Sequence, residues 1–305
     1  MADWGLVAIR FALYADLMLL VGLAAFPLYS FTRSEREDGV VLPLGGKLLW
    51  LALAALPLSA ASFAISSAAM MGVAITALDF PMLVSMAGNT EQGAAFLVRM
   101  AALVATLAAL VLLRRTQTPR YVVAMVGGSI ALATLLWSGH AAATEGPLGA
   151  AHRISDIAHM IAAALWIGGI AAFCLLLARP AQGEAQVTLA ARLLAEFARV
   201  GTVAVAIILL TGLFNGYAIL GADFTKLFQS TYGLLLGAKL VLFAAMLSLA
   251  ANNRWRLTPT LERTAASDHS DGAWKRLRIS VALEAAAGAA VLALVAWLGT
   301  LAPAN

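Results

Sequence analysis

The stretch His152–Ala178 reads HRISDIAHMIAAALWIGGIAAFCLLLA. As a helix it would extend about 40 Å, more than the ~30 Å hydrocarbon core of a bilayer. From Met160 onward it is apolar all round, which a helix on the surface of a soluble domain has no use for. At about 100° per residue, His152, Asp156, His159, Ala163 and Trp166 nevertheless share one narrow face. Ionisable side chains are costly against lipid, so this face must look into protein. The stretch therefore predicts one membrane-spanning helix of a bundle.

The rest of the chain agrees. Of 305 residues, 62% are hydrophobic and 12% charged, more apolar sequence than one soluble core can hide. Eight apolar stretches predict an all-α polytopic bundle with spans at Trp4–Phe31, Gly46–Met71, Gly93–Leu113, Tyr121–Ala143, His152–Ala178, Val200–Leu220, Tyr232–Ala251 and Leu277–Leu301. Met1–Gly5 lacks the basic region of a cleavable signal, so the first apolar stretch is read as mature structure. Gly72–Gln92 contains Asp79, Pro81, Asn89 and Glu91 and is read as an external loop with a short interfacial helix. Pro57 inside the second span is tolerable within a bundle. The single cysteine, Cys174, excludes an intramolecular disulfide and a Cys-based zinc site.

Charge placement gives the orientation. Fifteen of the twenty basic residues, among them Arg33, Arg36, Arg114, Arg115, Arg120, Arg192, Arg199, Arg254, Arg256 and Arg276, fall in links on one side. That side is expected to be cytoplasmic, with both termini periplasmic. The chain is read as a single integral membrane domain with two halves, 1–143 and 144–305. Their sparse similarity suggests parallel four-helix repeats: Arg10 precedes Asp16 by six residues as Arg153 precedes His159, and Gly93 precedes Arg99 as Gly233 precedes Lys239.

On this topology His140 and His152 lie at the outer surface and His159 lies about 10 Å deeper. His152 and Asp156, or Asp156 and His159, are near enough to share one ion. His152 and His159 are not, because seven residues rise about 10.5 Å along a helix. The cluster thus reads as a path or as two sites. Met70, Met71 and Met160 fall on the same outer side, and thioether with imidazole suits copper, particularly Cu(I). Methionine also fills apolar packing, and single histidines often link helices. Asp16 is a candidate ligand or proton carrier, with ion pairing to Arg10 or Arg99 as the structural alternative. Asn215, Lys239 and Glu284 are further path candidates, and Lys239 and Glu284 can pair to keep the interior neutral. His269, in a polar cytoplasmic loop, is assigned no site. No nucleotide-binding or hydrolase motif occurs, so neither enzymatic activity nor ATP hydrolysis is expected.

Ser138-Gly139-His140-Ala141, His159 followed by Ala162-Ala163 and Trp166-Ile-Gly168-Gly169, Asn215 with Tyr217, Thr231-Tyr-Gly233 leading to Lys239, Ala250-Ala-Asn-Asn-Arg254, and Glu284 form a series. In this series the chain resembles the copper resistance D family of bacterial inner-membrane proteins (CopD, PcoD). The resemblance is carried mainly from about residue 120 onward. It implies an eight-span protein of the bacterial inner membrane that moves copper from periplasm toward cytoplasm, with a periplasmic copper-binding protein of the CopC type as donor and the lipid bilayer as surroundings. Copper would be the substrate, handled by His140, His152 and His159 with methionines around them. No nucleic-acid partner is expected. The rival is a cytochrome in which His140 and His159 ligate haem b, although no second histidine pair serves the other membrane face. A copper sensor or scaffold without flux is a third alternative.

Overall fold

A computed structural model describes residues 4–138, 146–178, 183–220, 230–264 and 270–301. Within these residues every regular element is helical: α1 (Trp4–Ser30), α2 (Arg33–Asp38), α3 (Gly45–Met71), α4 (Phe80–Asn89), α5 (Glu91–Leu112), α6 (Gln117–Ala133), α7 (Gly146–Leu176), α8 (Glu184–Leu220), α9 (Thr231–Asn252), α10 (Thr258–Thr264) and α11 (Ser270–Leu298). A 3-10 turn, Thr134–Ser138, extends α6, and a π-helical turn, Asn253–Leu257, joins α9 to α10. Among the described residues, eight helices are long and apolar enough to cross a membrane. The protein is an all-α, multi-pass membrane bundle, the architecture that lets buried backbone satisfy its own hydrogen bonds in lipid.

The expected spans coincide with these helices, with differences at the ends. The short helix expected in the 72–92 loop is α4, whose ten residues reach about 15 Å, half of a bilayer core. Asp79 caps it by accepting a bond from the Met82 amide at 2.8 Å. The sixth span begins at Glu184 rather than Val200. Its first turns bury Val187, Ala190, Ala191, Leu193 and Leu194, while Arg192, Glu196 and Arg199 remain partly or largely exposed. Such an amphipathic start looks like a polar link when only apolar length is sought. The last part of the fourth expected span lies outside the described residues.

α1 is the central helix, packed against α3, α6, α7 and α11. Its closest neighbour is α7. Gly22 and Gly168 meet backbone to backbone, and a Cβ on either would overlap main-chain atoms of the other helix. Small residues permit this approach, which van der Waals packing then stabilises in lipid. Beyond the crossing, Phe26 and Phe173 meet edge to face with centroids 5.4 Å apart, so α1 and α7 run parallel. The neighbouring Gly169 leaves space for the Phe197 ring of α8.

The two ends of the bundle differ in chemistry. At one end arginines cap carbonyls: Arg36 donates to Phe31 at 2.8 Å, Arg120 to Gly45 at 2.9 Å and Arg192 to Ser30 at 3.2 Å. At the other end Arg10 donates to the Gly299 carbonyl, and Trp4 packs on Trp297 with centroids 5.1 Å apart. This second end also carries the start of α7 and its histidines.

At the arginine-rich end, Glu35 closes the capping box with Thr32 and pairs with Arg192 of α8. Partial burial pushes the Glu35 carboxyl up, but bonds from the Thr32 amide and hydroxyl and from Arg192 outweigh it and hold the group below the ordinary glutamate value. A carboxyl lowered on folding contributes stability above its unfolded pKa and loses it as pH falls through the folded value. Glu35→Gln is therefore expected to lower thermal stability slightly near pH 7, by under about 1 kcal/mol for so exposed a pair. The difference from wild type should vanish in acid; equal loss at acid and neutral pH would contradict the assignment.

Candidate functional site

The polar stripe of α7 packs against the second half of α8. Ser155 and His159 both meet Thr211, while Asp156 meets Asn215 four residues further along α8. His159 Nδ1 is 2.9 Å from the Thr211 hydroxyl oxygen. That hydroxyl has one proton, which it donates to the Ile207 carbonyl at 2.5 Å. The hydroxyl is then an acceptor for His159, with the Ile208 carbonyl as a second one, and in the tautomer that carries its proton on Nδ1 the ring keeps a lone pair on Nε2.

Asn215 Nδ2 donates to Asp156 Oδ1 at 3.4 Å, and Asn215 Oδ1 is buried without a partner among the described residues. Lys239 of α9 lies within electrostatic reach of both Asp156 and His159. A cavity of about 320 Å³ is lined by His159, Lys239, Tyr217, Met246, Trp166 and Phe243, among others. It offers an imidazole, a thioether and the Lys239 amine, with the Asp156 carboxyl within electrostatic reach of that amine. Tyr14 of α1 connects this region to the first half of the chain, standing within electrostatic reach of Asp156, Arg10 and Arg99.

The remaining candidates lie around this centre. His152 is buried, two turns before His159 on α7. His140 and His269 lie outside the described residues. Met160 belongs to the apolar core, and Met70 and Met71 are exposed at the end of α3, so none of the three lines the cavity. Asp16 is buried, and its Oδ2 has no hydrogen-bond partner among the described residues. Among the described residues it forms no ion pair with Arg10 or Arg99. Arg99 instead sits with its guanidinium carbon 6.0 Å from the Phe96 ring centroid. Counted back from the parallel Gly22–Gly168 crossing, Asp16 stands at the level of Ala162, about one turn past His159. Lys239 and Glu284 form no ion pair among the described residues; Glu284 is bonded to Asn253 instead.

Two contributors escape a reading of single spans. Thr211 matters only because α8 lies against α7. Met246 sits toward the inner half in sequence but follows Lys239 and Phe243 at intervals of seven and three residues, on the same helix face. Among the described residues no three His, Cys, Asp or Glu side chains converge as a metal-holding group.

Residues 1–150 match the model described as Copper resistance protein D-like, N-terminal domain, and residues 191–298 match the model described as Copper resistance protein D. Copper resistance protein D of Pseudomonas syringae pv. tomato is 41% identical over 299 residues, covering 97% of this chain and 96% of that protein. The chain belongs to the copper resistance protein D family. Copper transport protein CutJ of Bacillus subtilis is 35% identical over 150 residues, 49% of this chain and 27% of that protein. Inner membrane protein YebZ of Escherichia coli is 26% identical over 302 residues, 97% of this chain and 98% of that one. No solved structure matches the chain.

Proposed function

We propose that this copper resistance D protein carries copper ions across the bacterial inner membrane, from periplasm to cytoplasm, in the service of copper homeostasis. The observation that carries the reading is His159: its Nδ1 is bonded to Thr211, and with the proton there a basic Nε2 remains on a ring that lines a cavity with Met246. Imidazole nitrogen with thioether sulfur suits Cu(I) better than a hard cation. Membership of a family with copper resistance and copper transport proteins agrees with this chemistry.

The arginine-rich end is cytoplasmic by the positive-inside rule, which puts both termini and the start of α7 in the periplasm. Copper delivered there by a soluble carrier of the CopC type passes His152 and Asp156 before reaching His159. Lys239 repels a second cation at the cavity, while Asp156 offsets part of that charge. The balance keeps copper affinity low enough for release, and Trp166 and Met246 lie further along the cavity wall.

Purified protein in liposomes enclosing a Cu(I) indicator tests the reading. Wild-type vesicles should accumulate copper from a reducing external solution faster than empty ones. Equal rates would remove transport and favour a sensor or scaffold. Thr211→Val keeps the side-chain shape and removes the side-chain acceptor of His159, leaving only the Ile208 carbonyl to orient the ring. Loss of such an orienting bond typically weakens metal binding by about 10–100-fold. Uptake at limiting copper should fall accordingly, and unchanged half-saturation would contradict the role given to Thr211.

A further inference from the structure

Trp166 lines two cavities, that of His159 and a second one of about 260 Å³ nearer the arginine-rich end. In the second cavity stands Glu284 of α11, 3% exposed. Its Oε2 accepts a bond from Asn253 Nδ2 at 3.0 Å, and the Trp166 indole nitrogen lies beside the carboxylate. Among the described residues Glu284 Oε1 and Asn253 Oδ1 are both buried and neither has a partner in good hydrogen-bonding geometry. Asn253 is itself 7% exposed and opens the π-helical turn, a distortion that recurs at functional sites.

Around the carboxyl there is little charge. α7 presents Trp166 and the Cys174 thiol, which lies within electrostatic reach of Glu284. α8 presents Thr202, and α10 presents Thr258, whose hydroxyl donates to the Asn253 carbonyl at 2.8 Å. The cation at the cavity mouth, Arg254, is bonded to the Ala198 carbonyl and to Thr202, and it forms no ion pair with Glu284.

We propose that Glu284 is a proton-carrying carboxyl, exchanged with the arginine-rich face through this cavity and coupled to copper passage at His159. The inference rests on the transport reading and adds its driving ion. An arginine partner would hold the group ionised, and an all-apolar wall would hold it neutral. An amide serves both states: Nδ2 donates to the carboxylate, and Oδ1 can accept from the carboxylic acid. One proton bound at Oε1 makes that orphan acceptor a donor, for which the orphan Asn253 oxygen is the matching acceptor. The Cys174 thiol is not among the residues that line this cavity, and the polar groups that do line it at the carboxyl are oxygens, an amide and an indole N–H, which suit Cu(I) poorly. Coupling follows from the shared wall, because protonation weakens the acceptor beside the Trp166 indole, and that ring also bounds the copper cavity.

Liposomes carrying copper and pH indicators test the proposal, together with infrared titration of the purified protein. Wild type should move protons when copper moves and show a buried carboxylic acid band that responds to pH and to copper. Glu284→Gln, nearly isosteric, should lose the band and the copper-linked proton movement while still exchanging copper across equal concentrations. Glu284→Asp should recover part of the proton movement, which a merely structural role would not predict. Copper transport with no proton movement in wild type, or proton movement undiminished in Glu284→Gln, overturns the proposal and leaves the transport reading standing. Absence of copper flux in wild type overturns the transport reading and the coupling together.

Discussion

Replacing His159 by alanine is expected to reduce copper accumulation at limiting copper at least about tenfold, measured in cells or liposomes at matched protein levels. Removing even an outer-shell partner of a metal ligand costs about 10–100-fold, and His159 supplies the ligand nitrogen itself. The variant also leaves the Thr211 oxygen without its donor, but Thr211 keeps its own bond to Ile207. Folding should therefore survive, and the effect should appear in transport rather than yield. His159→Ala with wild-type uptake would contradict the site. Met160→Leu provides the contrast: Met160 is packed in the core beside His159 in sequence but faces away from the cavity. A volume-conserving exchange there should cost under about 1.5 kcal/mol and leave uptake intact.

Gly168→Leu is expected to have the largest effect on the fold. The new side chain would have to occupy the backbone of α1 at Gly22, so the two parallel helices would have to part along their contact. Overpacking by movable side chains already costs about 1–3 kcal/mol. Here the obstructing atoms are main chain, so the loss should reach about 3 kcal/mol or more. The readout is the yield of monodisperse protein in detergent and its melting temperature. Leucine at Gly216, which has no atom of the described residues near its Cβ position, is the control and should be tolerated. Equal stability of the two variants would show that the crossing is not the closest packing in the bundle.

Much of the fold was legible because lipid imposes its rule residue by residue. A stretch of sufficient apolar length must form a helix, so eight helices and the short α4 follow from composition along the chain. The start of α8 was not legible in the same way. Its apolar residues face protein on one side only, and the arginines between them interrupt the length signal. The stripe His152, Asp156, His159 was legible because helical periodicity fixes which residues of one helix share a face. Asp16 and Glu284 stood out as carboxyls inside apolar runs.

What surrounds each of these groups is another matter. Lys239 and Glu284 look equally able to neutralise each other in sequence, yet Lys239 lies with Asp156 and Glu284 with Asn253. The difference depends on how α7, α9 and α11 are rotated about their axes, which apolar composition alone leaves free. The sequence by itself determined that the protein spans the membrane, how often, and which face of α7 carries ionisable groups, since each follows from length or periodicity within one segment. Only the tertiary structure decided that Thr211 faces His159 Nδ1, that Met246 joins its cavity and that Trp166 separates it from Glu284. These are contacts between helices distant in sequence, selected by close packing such as the Gly22–Gly168 crossing, and no local propensity encodes them.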